Sequence, residues 1–125
     1  MPLSIEIHAE PHEWKRVSLA GSLDTDTASQ LQDKIDHEID STVHMVIMDL
    51  KRLEFLSSAG LRVIFKTKKL MESHHGKFML LNLQPQVRKV FDIIKALDGM
   101  NVFKSQEEMD EYLTAMQNKV LDGDA

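Results

Sequence analysis

The segment Asp49-Leu-Lys-Arg-Leu-Glu-Phe-Leu-Ser-Ser-Ala-Gly-Leu-Arg-Val-Ile64 gathers the residues of this chain best placed to do chemistry. Two adjacent hydroxyls, Ser57 and Ser58, precede Ala59 and Gly60 where an apolar repeat of helical spacing begins. A hydroxyl at a helix start lies where free amides and the positive end of the helix dipole accept an anion. A phosphate on such a serine would bring about −1.5 to −2 charges to an end of the helix that tolerates them. The small residues beside it let another backbone approach closely. The pattern fits a phosphorylation switch, and it fits plain capping by paired serines as well.

Other chemistries find less support. Asp49 ends an apolar run as a receiver phospho-acceptor would, but the first strand is not followed by the acidic pair that would hold Mg²⁺. Ser57-Ser58-Ala59-Gly60 is not the G-x-S-x-G elbow of a serine hydrolase, and no histidine has an evident position to activate a hydroxyl. His74 and His75 are adjacent at a helix end and point apart, without a Cys or acidic partner at ligand spacing, so no metal is expected. The eight methionines could line an adaptable binding surface, yet most fall on strand or helix positions that belong to a core. No enzyme, cofactor or metal site is expected.

The elements that must hold this segment follow from hydrophobic periodicity. Leu3–Ile7 alternates apolar and polar, and Val17-Ser-Leu19 repeats the alternation up to Gly21, which predicts a hairpin turning at Pro11 and His12. From Asp24 the period lengthens: Ala28, Leu31, Ile35 and Ile39 share one helix face behind the capping types Asp24 to Thr27. Val43–Leu50 is almost continuously apolar, as a strand covered on both faces is, and marks the sheet centre. A short loop then leads into a helix over Ser57–Ser73, with Leu61, Ile64, Phe65, Lys68 and Met71 on one face. Phe78–Leu83 is a further strand, and Gln84–Leu97 a third helix with Pro85 in its first turn and Gly99 as its stop. Asn101–Phe103 reads as an edge strand. Ser105 and Glu108 form a capping box for a last helix lined by Met109, Tyr112, Leu113 and Met116.

The order β-β-α-β-α-β-α-β-α predicts an α/β fold with a mixed sheet of four to five strands and about four helices. Its strand-to-helix loops gather at one sheet edge, where functional residues of open α/β sheets concentrate. The Gly21–Thr27 and Leu50–Gly60 turns are the two that matter there.

Composition limits what such a fold can be doing. At 125 residues one domain is expected, over residues 1–120, with 121–125 as a disordered tail. Leu, Ile, Val and Phe supply 36 residues, well above the roughly 20% below which disorder is expected. No cysteine is present, which removes disulfides, thiolate metal sites and cysteine nucleophiles. No apolar run reaches the roughly 18 residues of a membrane span, and the first ten residues lack a signal-peptide pattern, so a soluble cytoplasmic protein is expected. The net charge of −5 hides a division: Lys51 to Lys95 is +7 and the flanks together are −12. With few aromatics and no nucleic-acid motif the basic stretch does not indicate direct nucleic-acid binding. Solvated helix faces or a docking surface for an acidic protein remain.

The segment from Asp49-Leu to Gly60-Leu resembles the signature loop of STAS domains, specifically those of bacterial anti-sigma factor antagonists. Gly21-Ser-Leu-Asp24 with Ala28, Pro85-Gln-Val-Arg-Lys-Val-Phe91 and Gly99-Met-Asn-Val-Phe103 match further parts of the pattern. The resemblance implies a non-enzymatic partner-switching protein. Its unphosphorylated form would bind an anti-sigma factor that is also a serine kinase. Phosphorylation would release that partner, and a PP2C-type phosphatase would restore binding. The acceptor lies two residues before the loop glycine, which is Ser58, with Ser57 as a competing site because many members carry Asp there and Ser where this chain has Ala59. Asp24, Leu53, Phe55, Leu56, Ser57, Ala59, Gly60 and Arg62 are the expected partner-binding residues. Without phosphorylation, the same fold would serve as a constitutive adaptor in a signalling or transport complex. The resemblance leaves the oligomeric state open.

Overall fold

Alternation over the first strands produces a hairpin. β1 (Leu3–Glu10) runs antiparallel to β2 (Trp14–Leu23), in register from Leu3 opposite Gly21 to Glu10 opposite Trp14. The connection is a single 3-10 turn, Pro11–Glu13, in which His12 and Glu13 take left-handed φ of 69° and 62°. The chain continues through α1 (Ala28–Glu38), β3 (Met45–Leu56), α2 (Ser58–Ser73), β4 (Lys77–Leu81), α3 (Pro85–Ile93), β5 (Asn101–Phe103) and α4 (Gln106–Leu121). This computed structural model describes residues 2–93 and 100–121. The five strands form one sheet in chain order, with β2 through β5 parallel. The expected mixed sheet and four helices are present.

The two faces of the sheet are covered unequally. Val46, Met48 and Leu50 of β3 and Phe78 and Leu80 of β4 point to one face, where Leu31 and Ile35 of α1, Ile64 and Met71 of α2 and Phe91 of α3 close over them. Met45, Ile47, Met79 and Leu81 point the other way and meet Met109 of α4. Each such side chain, fully buried, contributes roughly 1.5–3 kcal/mol. The alternation within β3 and β4 is therefore real, but both sets are apolar, which is why the strands read as continuous runs.

Several expected boundaries move. Gly21 does not end β2. With φ at +95° it carries the strand onward to Leu23, and a Cβ there would lie 2.1 Å from the Pro2 carbonyl oxygen. β3 is longer than its apolar run, extending through Lys51–Leu56, which the sequence reading gives to a loop. Two register shifts against β2 lie between Ser18 and Ala20 and between Gly21 and Ser22, each leaving one extra residue on β3. Those bulges turn the inward spacing from two to three, so Leu50, Leu53 and Leu56 all face the core beside Leu19, Gly21 and Leu23. β4 ends at Leu81, short of Leu83. Met116, expected in the core, is one of the exposed large apolar side chains. α4 runs through Leu121, one residue into the expected tail; 122–125, the expected end of the third helix beyond Ile93, and Gly99 lie outside the described residues.

Candidate functional site

The parallel pairing of β2 with β3 brings the turns that follow them side by side. Leu23 and Leu56, the last residues of the two strands, are register partners, and the Ser57 amide donates to the Leu23 carbonyl at 2.9 Å. The site sits at this sheet edge.

The first turn is closed upon itself. Asp24 Oδ1 accepts from the Asp26 and Thr27 amides, each at 3.0 Å. The Thr27 hydroxyl accepts from the Asp24 amide at 2.9 Å and donates to the Ser22 carbonyl at 2.9 Å. Thr27 is buried, and the Ala28 amide reaches the Asp24 carbonyl to begin α1. The Thr27 amide, foremost among these bonds, holds the Asp24 carboxyl below its ordinary value of 3.8.

The second turn separates its two serines. Ser57 has extended backbone and is the N-cap of α2; its Oγ accepts from the Gly60 amide at 3.1 Å. Its carbonyl takes the Leu61 amide at 2.9 Å. Ser58 is the first residue of the helix and is exposed, and no hydrogen bond within the described residues engages its hydroxyl. Capping and availability thus fall on different residues. Of the two serines, Ser57 does the capping, and Ser58 keeps an exposed hydroxyl.

The residues expected around Ser58 divide in the same way. Phe55 is 53% exposed, the largest exposed apolar side chain among the described residues. Leu53 and Leu56, expected to add apolar contact beside it, do not: they are 0% and 4% exposed and belong to the core, because the β3 bulges turn them inward. Gly60 is buried, and a Cβ on it would lie 2.4 Å from Leu23 Cγ and 2.9 Å from the Leu23 carbonyl oxygen. Its close approach is therefore to β2 of its own chain rather than to a partner. Ala59 is half-buried and Arg62 exposed, one helical turn after Ser58 on the same side of α2. Ser58, Phe55, Arg62 and the exposed Thr25 and Asp26 of the first turn make the accessible surface of this edge.

Behind it, α1 and α2 leave a groove that the sequence reading does not single out. Arg62 and Ala59 line its near end in a hollow of about 290 Å³. A second hollow of about 390 Å³ continues it toward Ser73, sharing Gln32 and Lys66 with the first. The only advance sign of it is the unbalanced run of bases Arg62, Lys66, Lys68 and Lys69. Among the described residues no group of His, Cys, Asp and Glu could hold a metal ion, and no helix is long and apolar enough to cross a membrane.

A family model described as the STAS domain matches residues 7–109. BtrV of Bordetella bronchiseptica, a relative named as an anti-sigma factor antagonist, is 36% identical over 71% of this chain and 77% of its own length. Among solved structures, the anti-sigma factor antagonist SpoIIAA in its unphosphorylated form superposes with a TM-score of 0.70 at 25% identity, covering 91% of this chain and 98% of that one. The phosphorylated form of SpoIIAA, a Bacillus cell fate determinant, superposes with a TM-score of 0.68 at 26% identity over 87% of this chain and 99% of that one.

Proposed function

The chain belongs to the STAS domain family, and on that premise we propose that it is an anti-sigma factor antagonist of the partner-switching kind, with Ser58 as its phosphorylated residue. The observation that carries this reading is the contrast between a capped Ser57 and an exposed, unengaged Ser58 at the start of α2. A kinase needs a hydroxyl it can reach without unmaking the fold. Ser58 meets that need, whereas phosphorylating Ser57 would cost α2 its cap.

The unphosphorylated edge offers Phe55 as an exposed apolar anchor near the end of β3 and an uncharged hydroxyl at Ser58, with Thr25, Asp26 and Arg62 as further exposed polar groups. An aromatic side chain that is desolvated on docking supplies a large part of an interface's affinity. A phosphate on Ser58 interacts favourably with the free amides and dipole of its own helix, so the fold accommodates the charge. The docked partner then meets about two negative charges where it met a neutral hydroxyl, and burying them without pairing is costly. Release follows from the interface rather than from unfolding. The partner in this reading is an anti-sigma factor that is also a serine kinase, and a PP2C-type phosphatase resets the switch. The protein acts by binding, in the cytoplasm, without catalysis or a cofactor.

The test is a calorimetric titration of the cognate anti-sigma factor kinase with wild type and Ser58→Asp. The substituted carboxylate should lower affinity at least about tenfold, or about 1.4 kcal/mol. Equal affinity, together with no phosphate transfer to wild type, would identify a constitutive adaptor instead.

A further inference from the structure

The groove between α1 and α2 is built for an occupant that the chain itself does not provide. Its floor is apolar, with the half-buried Leu70 as the accessible apolar side chain and the fully buried Ile35 among the lining residues. Its rim is basic. Arg62, Lys66 and Lys69 stand along α2 with no ion pair among the described residues, whereas Lys68 on the same helix is 3.2 Å from Glu72. The one acid on its walls, Asp36, has a carboxylate oxygen 2.8 Å from Gln32 Nε2. Gln32 Oε1 is buried and has no hydrogen-bond partner, in the stretch common to both hollows. A desolvated carbonyl of this kind is costly until a donor reaches it. From Ala59 to Ser73 the groove spans about 20 Å along α2, about four helical turns.

We infer that this groove seats an acidic amphipathic segment of the binding partner. Apolar side chains would lie on Leu70, carboxylates would pair with Lys66 and Lys69, and a donor would satisfy Gln32 Oε1. Nucleic acid would answer the cations but leave the apolar floor uncovered. A second copy of this chain would bring the acidic start of α4, but Met109 already fixes the apolar side of that helix to its own sheet. The near end of the groove is Arg62, one turn from Ser58. Resting on the partner-switching reading, a phosphate on Ser58 would occupy Arg62 and repel the acidic segment at its entry. Charge complementarity along the groove would make the edge sensitive to one added group.

The probe is a labelled amphipathic peptide of alternating Glu and Leu pairs, titrated into ¹⁵N-labelled protein, with the same peptide carrying Lys for Glu as control. The acidic peptide should shift the Gln32 side-chain amide and the Thr67 and Leu70 amides. Its affinity should fall about tenfold in Lys66→Glu/Lys69→Glu, and should weaken as salt rises from about 50 to 500 mM. Shifts confined to other surfaces, or equal binding of the Lys peptide, would overturn the assignment. So would concentration-dependent dimerisation in sedimentation that Lys66→Glu/Lys69→Glu abolishes, since the groove would then serve self-association. Both substitutions are exposed, and an unchanged thermal melt is the folding control. The intact kinase separates this inference from the switch. Binding lost in Lys66→Glu/Lys69→Glu but kept in Ser58→Asp supports the groove and sinks the switch; the reverse pattern sinks the groove alone.

Discussion

Two turns leave the same sheet edge, side by side, and they spend their polar groups differently. In the turn after β2, one oxygen of Asp24, the Thr27 hydroxyl and three amides are committed to one another. In the turn after β3, a single serine caps the helix and its neighbour is left over. The first turn is a brace. The second rests on it, through the bond from the Ser57 amide to Leu23 and the contact of Gly60 with the Leu23 side chain. The start of α2, Ser58 included, is thus held in place by atoms other than the Ser58 hydroxyl, and the adjoining turn supplies them. Among the described residues no hydrogen bond of the fold uses the Ser58 hydroxyl, and the proposed phosphorylation needs that freedom.

That contrast can be broken from its base upward. Leu53→Ala removes a fully buried side chain under the β3 bulges and should cost about 2–5 kcal/mol in urea denaturation. Phe55→Ala, two residues along, should leave stability within about 0.5 kcal/mol and instead weaken partner binding. If the two variants behave alike in both assays, the division of the segment into core and contact fails. Gly60→Ala forces a methyl into Leu23 and should cost about 1–3 kcal/mol, enough to lower the melting temperature measurably. Ser57→Ala removes the cap and should cost about 0.5–2 kcal/mol, while Ser58→Ala should be nearly neutral in the same melt.

The smallest effect lies in the brace. The folded state holds the Asp24 carboxyl below its ordinary 3.8, so its ionised form favours folding. That contribution is fully present above the ordinary value and is lost as pH falls through the lower folded one. The gap in urea midpoint between wild type and Asp24→Asn should stay constant from neutral pH to about 5 and shrink below about 4. A gap that persists unchanged into stronger acid would mean the carboxylate charge is not what holds the turn.

Periodicity carried much of this architecture in the sequence: the hairpin, the alternating elements and the edge strand at Asn101–Phe103 all follow from it. It failed where the backbone departs from regularity. Leu50, Leu53 and Leu56 are spaced by three, which is no strand period, and two bulges are needed before they share a face. Exposed-looking leucines near a motif were therefore core. Gly21 reads as a stop because the chain usually turns at glycine, but its left-handed φ keeps β2 going. Ser57 and Ser58 could not be told apart in one dimension. Only the direction of one hydroxyl, toward the Gly60 amide, separates them. The α1–α2 groove was invisible for a related reason: its walls lie about 30 residues apart, and only the run of bases on one of them shows in the sequence.

The proposed switch depends on Ser58 being the hydroxyl that is both reachable and dispensable to the fold. Incubating wild type, Ser57→Ala and Ser58→Ala with the cognate kinase and ATP, then reading intact mass, tests that directly. One phosphate on wild type and on Ser57→Ala, and none on Ser58→Ala, is the predicted result. A phosphate that persists in Ser58→Ala and disappears in Ser57→Ala would contradict it.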